Sequence, residues 1–229
     1  MRLPTIGLLL ILASNAWAGS AHPNLVAWYR AEGNALDASG NGNTGTLVGD
    51  IGFNAGVFGS SFVFDGTNNR VDVPGIGNSN LNGNDGFTIT GWVYDAGTAN
   101  GRLADKSDAT SSAGGFYIAI VTGNIAVNIN NINRVDSPSG SVVQNEWTFV
   151  AFSVKANGDF YLSVGDTLTT GSTGSTSGIT TTSGFAIGDR EAGDRKMNGR
   201  LDDVRLYDAA LSPSDIRRVM QGMQPLHRY

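Results

Sequence analysis

The chain contains no cysteine and only two histidines, His22 and His227, which lie near its two ends. Without cysteine there is no disulfide framework, no thiol nucleophile and no zinc–thiolate site. A Ser-His-Asp device or a histidine-rich zinc site needs an internal histidine, and the sequence has none. These absences exclude the thiol and histidine classes of catalytic and metal chemistry.

Basic residues are also scarce. Lysine occurs only at positions 106, 155 and 196, and the formal net charge of the whole chain is -5. Binding to phosphate backbones depends on clustered lysine and arginine, and no such cluster is present. Nucleic acid and anionic membrane surfaces are therefore poor candidates as partners.

Long apolar runs are missing except at the start of the chain. Arg2 precedes the apolar run Ile6–Ala13, and the small-x-small pattern that ends at Ala18 follows it. This pattern predicts a secretory signal peptide over residues 1–18, cleaved after Ala18, and hence an extracellular protein. The run is shorter than the roughly 20 residues that span a bilayer, so we expect no membrane insertion.

Glycine, in contrast, is abundant, with 32 residues, and hydrophobic residues make up 40% of the chain in short blocks. Short apolar blocks separated by glycine and asparagine predict short strands with tight turns rather than disorder. Phe87–Tyr94 alternates well, and Asn157-Gly158 separates two alternating runs, Trp147–Val154 and Asp159–Val164. Asn-Gly in that position is a strong hairpin signal.

The strand segments predict an all-β fold, a two-sheet antiparallel jelly-roll sandwich with one short C-terminal helix. We expect one domain over residues 25–221, preceded by an N-terminal extension at 19–24 and followed by a C-terminal tail at 222–229. The Ser/Thr/Gly stretch Thr167–Ser183 is interpreted as a solvated loop with a few possible edge residues. The charged stretch Asp189–Lys196 is interpreted as a solvated turn.

The segment Asn198–Ser212 combines a strand with a helix start. On a regular strand Asp202 would share the core-facing row with Val204 and Leu206, while Asp203 would point the other way. A carboxylate on a core-facing row is unfavourable unless a partner neutralises it. Ser212 as N-cap and Pro213 at the first helical position predict a helix that ends before Gly222.

Five motifs together resemble the laminin-G-like, concanavalin A-like lectin/glucanase jelly-roll superfamily, in the order expected along nearly the whole mature chain. They are Leu25–Gly33 with Asp37–Gly45, Phe62–Gly66 with Arg70–Val73, Phe87–Val93, Asn145–Val150 and Gly199–Ser212. The resemblance implies a secreted bacterial-type module, often sugar-binding or adhesive, that frequently holds a calcium ion at the edge of the sandwich. The same fold carries many functions, so it fixes no ligand.

The resemblance also implies a metal site. Asp202 corresponds to the aspartate that often holds the structural ion in this superfamily, with further ligands from the N-terminal loop. Calcium requires six to eight oxygens, and we expect them from Asp202, Glu32 and carbonyls near Gly33 and Asp65. The alternative is that Asp202 accepts backbone N–H bonds or pairs with an arginine.

Aromatic residues outside the core could bind sugar rings. Trp28, Trp92 and Trp147 lie among aliphatic residues and are interpreted as core. Tyr94 and Tyr117 alternate with apolar residues along their strands, so they are expected on the opposite face from those residues. They could line a ligand-binding face together with the polar side chain of Asn128. The Asp65–Asn69 segment is interpreted as a turn that uses Gly and Asn for left-handed backbone.

Glycan-cleaving relatives of this superfamily present their paired carboxylates on a Glu-x-Asp-x-Glu strand. The glutamates of this chain, Glu32, Glu146 and Glu191, lie in no such pattern, so we expect no enzyme. The favoured hypothesis is a secreted binding module for carbohydrate or another extracellular polymer, stabilised by calcium. The alternative is a structural subunit that forms a homo-oligomer or filament through its termini, and a glycan-cleaving enzyme ranks last.

Overall fold

The computed structural model describes residues 22–76, 81, 86–107, 114–130, 133–174, 176, 179 and 183–226. The predicted signal peptide, the first half of the N-terminal extension and the end of the C-terminal tail lie outside these residues. The predicted all-β jelly-roll is confirmed, with two antiparallel sheets and one short helix.

The first sheet, sheet A, has eight strands. Their order is β13-β12-β11-β6-β15-β4-β3, and β1 pairs with β15 beside this path. The strands of sheet A are β1 (Leu25–Tyr29), β3 (Gly52–Ala55), β4 (Ser60–Asp65), β6 (Phe87–Asp95), β11 (Trp147–Val154), β12 (Asp159–Val164), β13 (Thr167–Ser172) and β15 (Asn198–Tyr207).

The second sheet, sheet B, has seven strands in the order β10-β9-β8-β7-β14-β5-β2. They are β2 (Thr46–Val48), β5 (Arg70–Val73), β7 (Asn100–Lys106), β8 (Phe116–Val121), β9 (Asn124–Ile129), β10 (Asn133–Asp136) and β14 (Phe185–Ile187). The helix α1 (Pro213–Met220) begins after the N-cap Ser212, whose hydroxyl accepts a hydrogen bond from the Asp215 N–H, as the sequence predicts.

The main core lies between the inner faces of the two sheets, where alternate strand residues such as Phe87, Phe116 and Phe152 pack together. A second, smaller core lies on the outer face of sheet A, where Ile216 and Val219 of α1 cover Phe149. The helix therefore leaves only part of that outer face open to ligands.

Two local predictions are wrong. Thr167–Ser172, interpreted as loop, forms the edge strand β13 because it pairs along its whole length with β12. Trp28, Trp92 and Trp147 are half-buried rather than core. Trp28 and Trp92 pack against the second core on the outer face of sheet A, and Trp147 pairs edge-on with Tyr94 on the same face.

Candidate functional site

A β-bulge in β15 sets the geometry of the candidate site. Asp202 pairs with Trp92 on β6, whereas Arg205 pairs with Thr90, so β15 has one residue more than β6 between these two pairs. Asp203 occupies the bulge with a left-handed φ of +52°. The extra residue reverses the side-chain alternation along the strand.

The expected face of Asp202 is therefore wrong. Val204 and Leu206 remain in the core between the sheets, while Asp202 lies beside Trp92 on the outer face. Asp203 and Asp202 do not point to opposite faces either, because both line the same cavity. The bulge moves a carboxylate pair out of the sandwich and into a pocket.

This pocket, the β15 cavity, has a volume of about 360 Å³ and lies between β1, β15, the β3–β4 turn and the end of α1. It combines aromatic rings, carboxylates and guanidinium groups. Its lining residues are Trp28, Arg30, Glu32, Phe58, Gly59, Asp202, Asp203, Arg205, Gln221 and Gly222. The volume falls in the range of small-molecule sites.

Asp202 is fully buried in the wall of the cavity. Its Oδ2 accepts hydrogen bonds from the N–H groups of Val57, at 2.7 Å, and Phe58, at 2.8 Å. Its Oδ1 accepts no hydrogen bond from any described residue. Burial raises the pKa of Asp202 to about 6 and the negative charge of Asp203 adds to the rise, against the opposing effect of the backbone N–H groups of Phe58, Val57 and Asp203.

Asp203 is held by two partners. The indole Nε1 of Trp28 donates to its Oδ1 at 2.6 Å, and Arg205 forms an ion pair with it at 3.0 Å. The Arg205 guanidinium also lies 4.4 Å from the centre of the Trp28 ring, and its Nη1 donates to the Met223 carbonyl. The Trp28 ring is thus fixed at the cavity wall, with its orientation set by a buried network.

The predicted metal ligands are only partly brought together. Glu32 lines the cavity with Asp202, its Oε2 accepts from the Ser60 N–H at 3.1 Å, and its Oε1 lies 4.0 Å from Arg30. Gly33 follows Glu32 in the chain with a φ of +74°. Asp65 pairs with Asn198, four residues before Asp202 on β15, and does not line the cavity.

Asp65 instead stabilises its own turn. Its Oδ1 accepts from both the N–H and the hydroxyl of Thr67, its backbone N–H donates to the Asn69 side chain, and Gly66 has a φ of +77°. The Thr67 bonds hold the pKa of Asp65 below its ordinary value. The turn interpretation of Asp65–Asn69 agrees with these contacts.

A calcium ion at Asp202 stays a prediction. The free Oδ1 of Asp202 favours it, because a buried carboxylate oxygen is a suitable ligand. Two guanidinium groups, those of Arg30 and Arg205, line the same cavity and count against it. Among the described residues there is no group of three or more acidic or histidine side chains placed to hold a metal ion. The side chains of the described residues therefore supply only a few of the oxygens that calcium needs, and backbone carbonyls would have to supply the others.

The three predicted ligand-binding residues do not share a face. Tyr94 lies on β6 of sheet A, beside Trp147 at 5.6 Å and beneath the Arg200 guanidinium at 3.8 Å. Tyr117 and Asn128 are cross-strand partners on β8 and β9 of sheet B. Tyr94 is thus separated from the other two by the thickness of the sandwich.

Tyr117 and Asn128 lie in a polar row on the outer face of sheet B. The Arg102 guanidinium lies 3.5 Å from the centre of the Tyr117 ring and donates to Asp105 at 2.9 Å. Asn128 is buried, and its Oδ1 accepts no hydrogen bond from the described residues. The Arg102 guanidinium thus lies over the Tyr117 ring, as those of Arg205 and Arg30 lie 4.4 Å and 5.5 Å from the centre of the Trp28 ring.

Most walls of the β15 cavity were not predicted from the sequence. Trp28, Arg30 and Glu32 follow one another at every second position, which on a strand and its extension indicates a shared polar face. That spacing could have identified one wall. Phe58 and Gln221 come from a turn and a helix end, and no sequence pattern connects them to β1.

Known families and solved structures match most of the chain. A family model described as the concanavalin A-like lectin/glucanases superfamily matches residues 65–217, more than half of the chain. No curated protein matches the sequence. No helix within the described residues combines the length and apolar character needed to cross a membrane.

Several solved structures share the fold. Domain 4 of an extracellular arabinanase from Geobacillus stearothermophilus, solved with arabinotriose, has a TM-score of 0.67 and 20% identity over 84% of this chain and 96% of that one. The binding domain of Paraclostridial mosquitocidal protein 1 has a TM-score of 0.69 and 20% identity over 87% of this chain and 52% of that one.

A structure of botulinum neurotoxin type C, whose cell entry depends on interaction with two ganglioside molecules, has a TM-score of 0.67. It is 17% identical over 88% of this chain and 51% of that one. This chain therefore spans about half the length of the two toxin chains. At these identities the likeness concerns the fold.

Proposed function

This chain belongs to the concanavalin A-like lectin/glucanases superfamily, and we propose that it is a non-catalytic module that binds carbohydrate through the β15 cavity. One observation carries the proposal: Asp202, whose Oδ1 is a buried carboxylate oxygen without a donor among the described residues, lines a cavity with a tryptophan wall. A sugar matches both features, since its hydroxyl groups donate hydrogen bonds and its C–H face packs on aromatic rings.

The unsatisfied acceptor of Asp202 gives a sugar hydroxyl a favourable hydrogen bond to form. A buried acceptor that lacks a donor is unfavourable by about 1–3 kcal/mol, and more when it is charged. A ligand hydroxyl that donates to Oδ1 removes this penalty on binding. Trp28, held by Asp203, and Phe58 supply fixed apolar surface for the ring. The unpaired carboxylate thus provides orientation and the rings provide contact area.

Two of the structural neighbours support this ligand class. The arabinanase domain was solved with arabinotriose, and the neurotoxin depends on gangliosides. Both ligands contain sugars. The support is by shared fold, and the site assignment depends on the cavity of this chain.

Catalysis is disfavoured by the same contacts. A retaining glycosidase needs a free carboxylate nucleophile and a second carboxyl as acid. Asp203 is engaged by Trp28 and Arg205, and one oxygen of Asp202 is engaged by two backbone N–H groups. Asp203 cannot approach an anomeric carbon without breaking its present bonds. Incubation with the bound glycan should release no reducing ends.

Export and calcium binding are also part of the proposal, and neither follows from the contacts of the β15 cavity. We infer that the mature chain begins after Ala18 and acts outside the cell, which N-terminal sequencing of the secreted protein would test. Calcium would be a stabilising ion at Asp202. Thermal unfolding with and without EDTA tests this role of calcium, and an unchanged Tm would show that no calcium ion stabilises the protein.

The binding proposal is tested on a glycan array with the mature protein and two variants. Trp28→Ala removes the cavity wall, and we expect loss of at least tenfold in affinity for whichever glycan the wild type binds. Trp147→Ala, on the same face but outside the cavity, is the matched control and should bind normally. Equal loss in both variants, or no loss in Trp28→Ala, would place the ligand elsewhere.

A further inference from the structure

A second depression lies beside the β15 cavity on the outer face of sheet A. This groove, the α1 groove, has a volume of about 480 Å³ and runs between α1 and the strands β6 and β12. Its lining combines the buried Ile216 with exposed polar side chains and with the exposed Leu168. It is lined by Trp92, Ser163, Gly165, Asp166, Leu168, Pro213, Ile216, Arg217, Met220 and Gln221.

The groove and the cavity are adjacent. Gln221, the exposed residue that caps the C-terminal end of α1, lines both of them. Phe58 of the cavity lies edge-on to Trp92 of the groove, with ring centres 6.5 Å apart. Asp202 and Trp92 are direct partners on neighbouring strands, and neighbouring strands lie about 5 Å apart. A single ligand can therefore contact both depressions.

Trp92, which lines the groove, carries an unsatisfied polar atom. The indole N–H of Trp92 is buried and has no acceptor among the described residues. The ring itself is held edge-on against Phe149 at 5.4 Å. Among the described residues, Asp202 Oδ1 of the cavity thus has no hydrogen-bond donor, and the Trp92 N–H of the groove has no acceptor. A chain of hydroxylated rings offers both, because each hydroxyl or ring oxygen can accept and each hydroxyl can donate.

We propose that the α1 groove is a second subsite of the carbohydrate site, so that the module binds a run of linked sugar rings laid across the C-terminal end of α1. The inference rests on the proposed function and makes it more specific, because it favours an oligosaccharide or polysaccharide segment over a single sugar. One ring would contact Trp28 and Asp202, and the next would contact Trp92 past Gln221.

The test measures affinity against chain length by titration calorimetry. The probes are arabinan, xylan and β-glucan oligosaccharides, each from the monosaccharide to the hexasaccharide. For the series that the wild type binds, affinity should rise at least tenfold from the single sugar to the trisaccharide. Equal affinity for all lengths would overturn the second subsite.

Two variants assign the length effect to the groove. Trp92→Phe keeps a ring against Phe149 but removes the N–H, and it should weaken the trisaccharide about threefold to tenfold while leaving the monosaccharide unchanged. Arg217→Trp adds bulk at an exposed position that lines the groove but not the cavity, and it should have the same selective effect without disturbing the core. Trp147→Phe is the control for a ring on the same face outside both depressions.

The outcomes separate the two proposals. If Trp28→Ala weakens every length but Trp92→Phe and Arg217→Trp leave the trisaccharide unchanged, the groove proposal is overturned and the cavity proposal stands. If Trp28→Ala has no effect on any length, the cavity proposal itself is overturned. Selective loss of the longer probes in both groove variants supports the second subsite.

Discussion

The Asp202 carboxylate combines full burial, two backbone donors on one oxygen and none on the other. The pKa of this group, about 6 against an ordinary value of 3.8, shows that the donors do not compensate for burial. Other charges surround it: Asp203, Glu32, Arg30 and Arg205 line the same cavity. A residue in this state destabilises the ligand-free protein, as binding residues often do.

The raised pKa of Asp202 predicts that the free energy of unfolding depends on pH. Because the folded protein binds the proton more tightly than the unfolded chain, the stability contributed by protonated Asp202 is present at low pH. It is lost as pH rises from about 4 to about 6, with a total change of about 3 kcal/mol. Asp202→Asn lacks the titrating group.

Urea unfolding at a series of pH values measures this difference. The free energy of unfolding of the wild type should fall relative to that of Asp202→Asn across the same interval, by up to about 3 kcal/mol. Parallel curves for the two proteins would show that Asp202 does not titrate in this range and that its carboxylate is compensated.

At the same scale, single residues show where sequence reasoning reaches its limit. The alternation of Tyr94 and Tyr117 correctly placed both away from the main core, but alternation carries no information on which sheet a strand joins. Asp202 was singled out correctly as an unusual acid. Its face was wrong because a bulge reverses the alternation, and nothing in Leu201-Asp-Asp-Val204 specifies the left-handed φ of Asp203.

At the scale of elements, the turn between β3 and β4 is as important to the site as β15. Its Val57 and Phe58 N–H groups hold Asp202, and Phe58 forms a wall of the cavity. A side chain at Gly56 has no room: a Cβ there would lie 2.5 Å from Asp202 Oδ2 and 2.8 Å from the Ser60 carbonyl oxygen. The glycine permits the close approach of turn and strand.

Gly56→Ala should therefore destabilise the protein by about 1–3 kcal/mol, the usual cost of overpacking. It should also weaken glycan binding, because the turn must move away from Asp202. Gly52→Ala in the same hairpin is the control, since its Cβ would meet the Val63 side chain at an ordinary 3.6 Å. Thermal unfolding and glycan titration of both variants measure this, and an equal Tm for the two would contradict the steric argument.

Elements with clear alternation or capping were predicted well, and those without it were missed. Ser212 and Pro213 predicted the start of α1, and Asn157-Gly158 predicted the β11–β12 hairpin. The strand β7 was missed because it buries Arg102, Asp105 and Lys106, which pair with each other, with carbonyls or with neighbouring rings rather than facing solvent. A strand with buried polar residues lacks the alternation of apolar and polar residues from which strands are predicted.

At the scale of the molecule, the sandwich places one partly open face of sheet A beside a helix that covers the remainder. The described part of the C-terminal tail packs on its own chain: the Met223 and Gln224 carbonyls accept from Arg205 and Arg218, and the Leu226 N–H donates to Asp215. The hypothesis of assembly through the termini remains a prediction, although these contacts favour an intramolecular role for this tail.

Light scattering of the mature protein tests the state of assembly. Because the described tail is already hydrogen-bonded within its own chain, we expect a monomer over the concentration range used for glycan binding. A stable oligomer or filament that forms without glycan would favour the structural alternative. In that case the edge strands β13 and β10 would be the first surfaces to examine.

The central claim, that the ionised Asp202 accepts a hydrogen bond from a sugar hydroxyl, is tested most directly by the pH dependence of affinity. The measurement is calorimetric titration of the tightest-binding oligosaccharide at about pH 5 and about pH 7.5. With a pKa of about 6 in the free protein, the wild type should bind about tenfold more tightly at the higher pH. Asp202→Asn should show no such change. Equal wild-type affinity at the two pH values, or the same change in the Asn variant, would contradict the account.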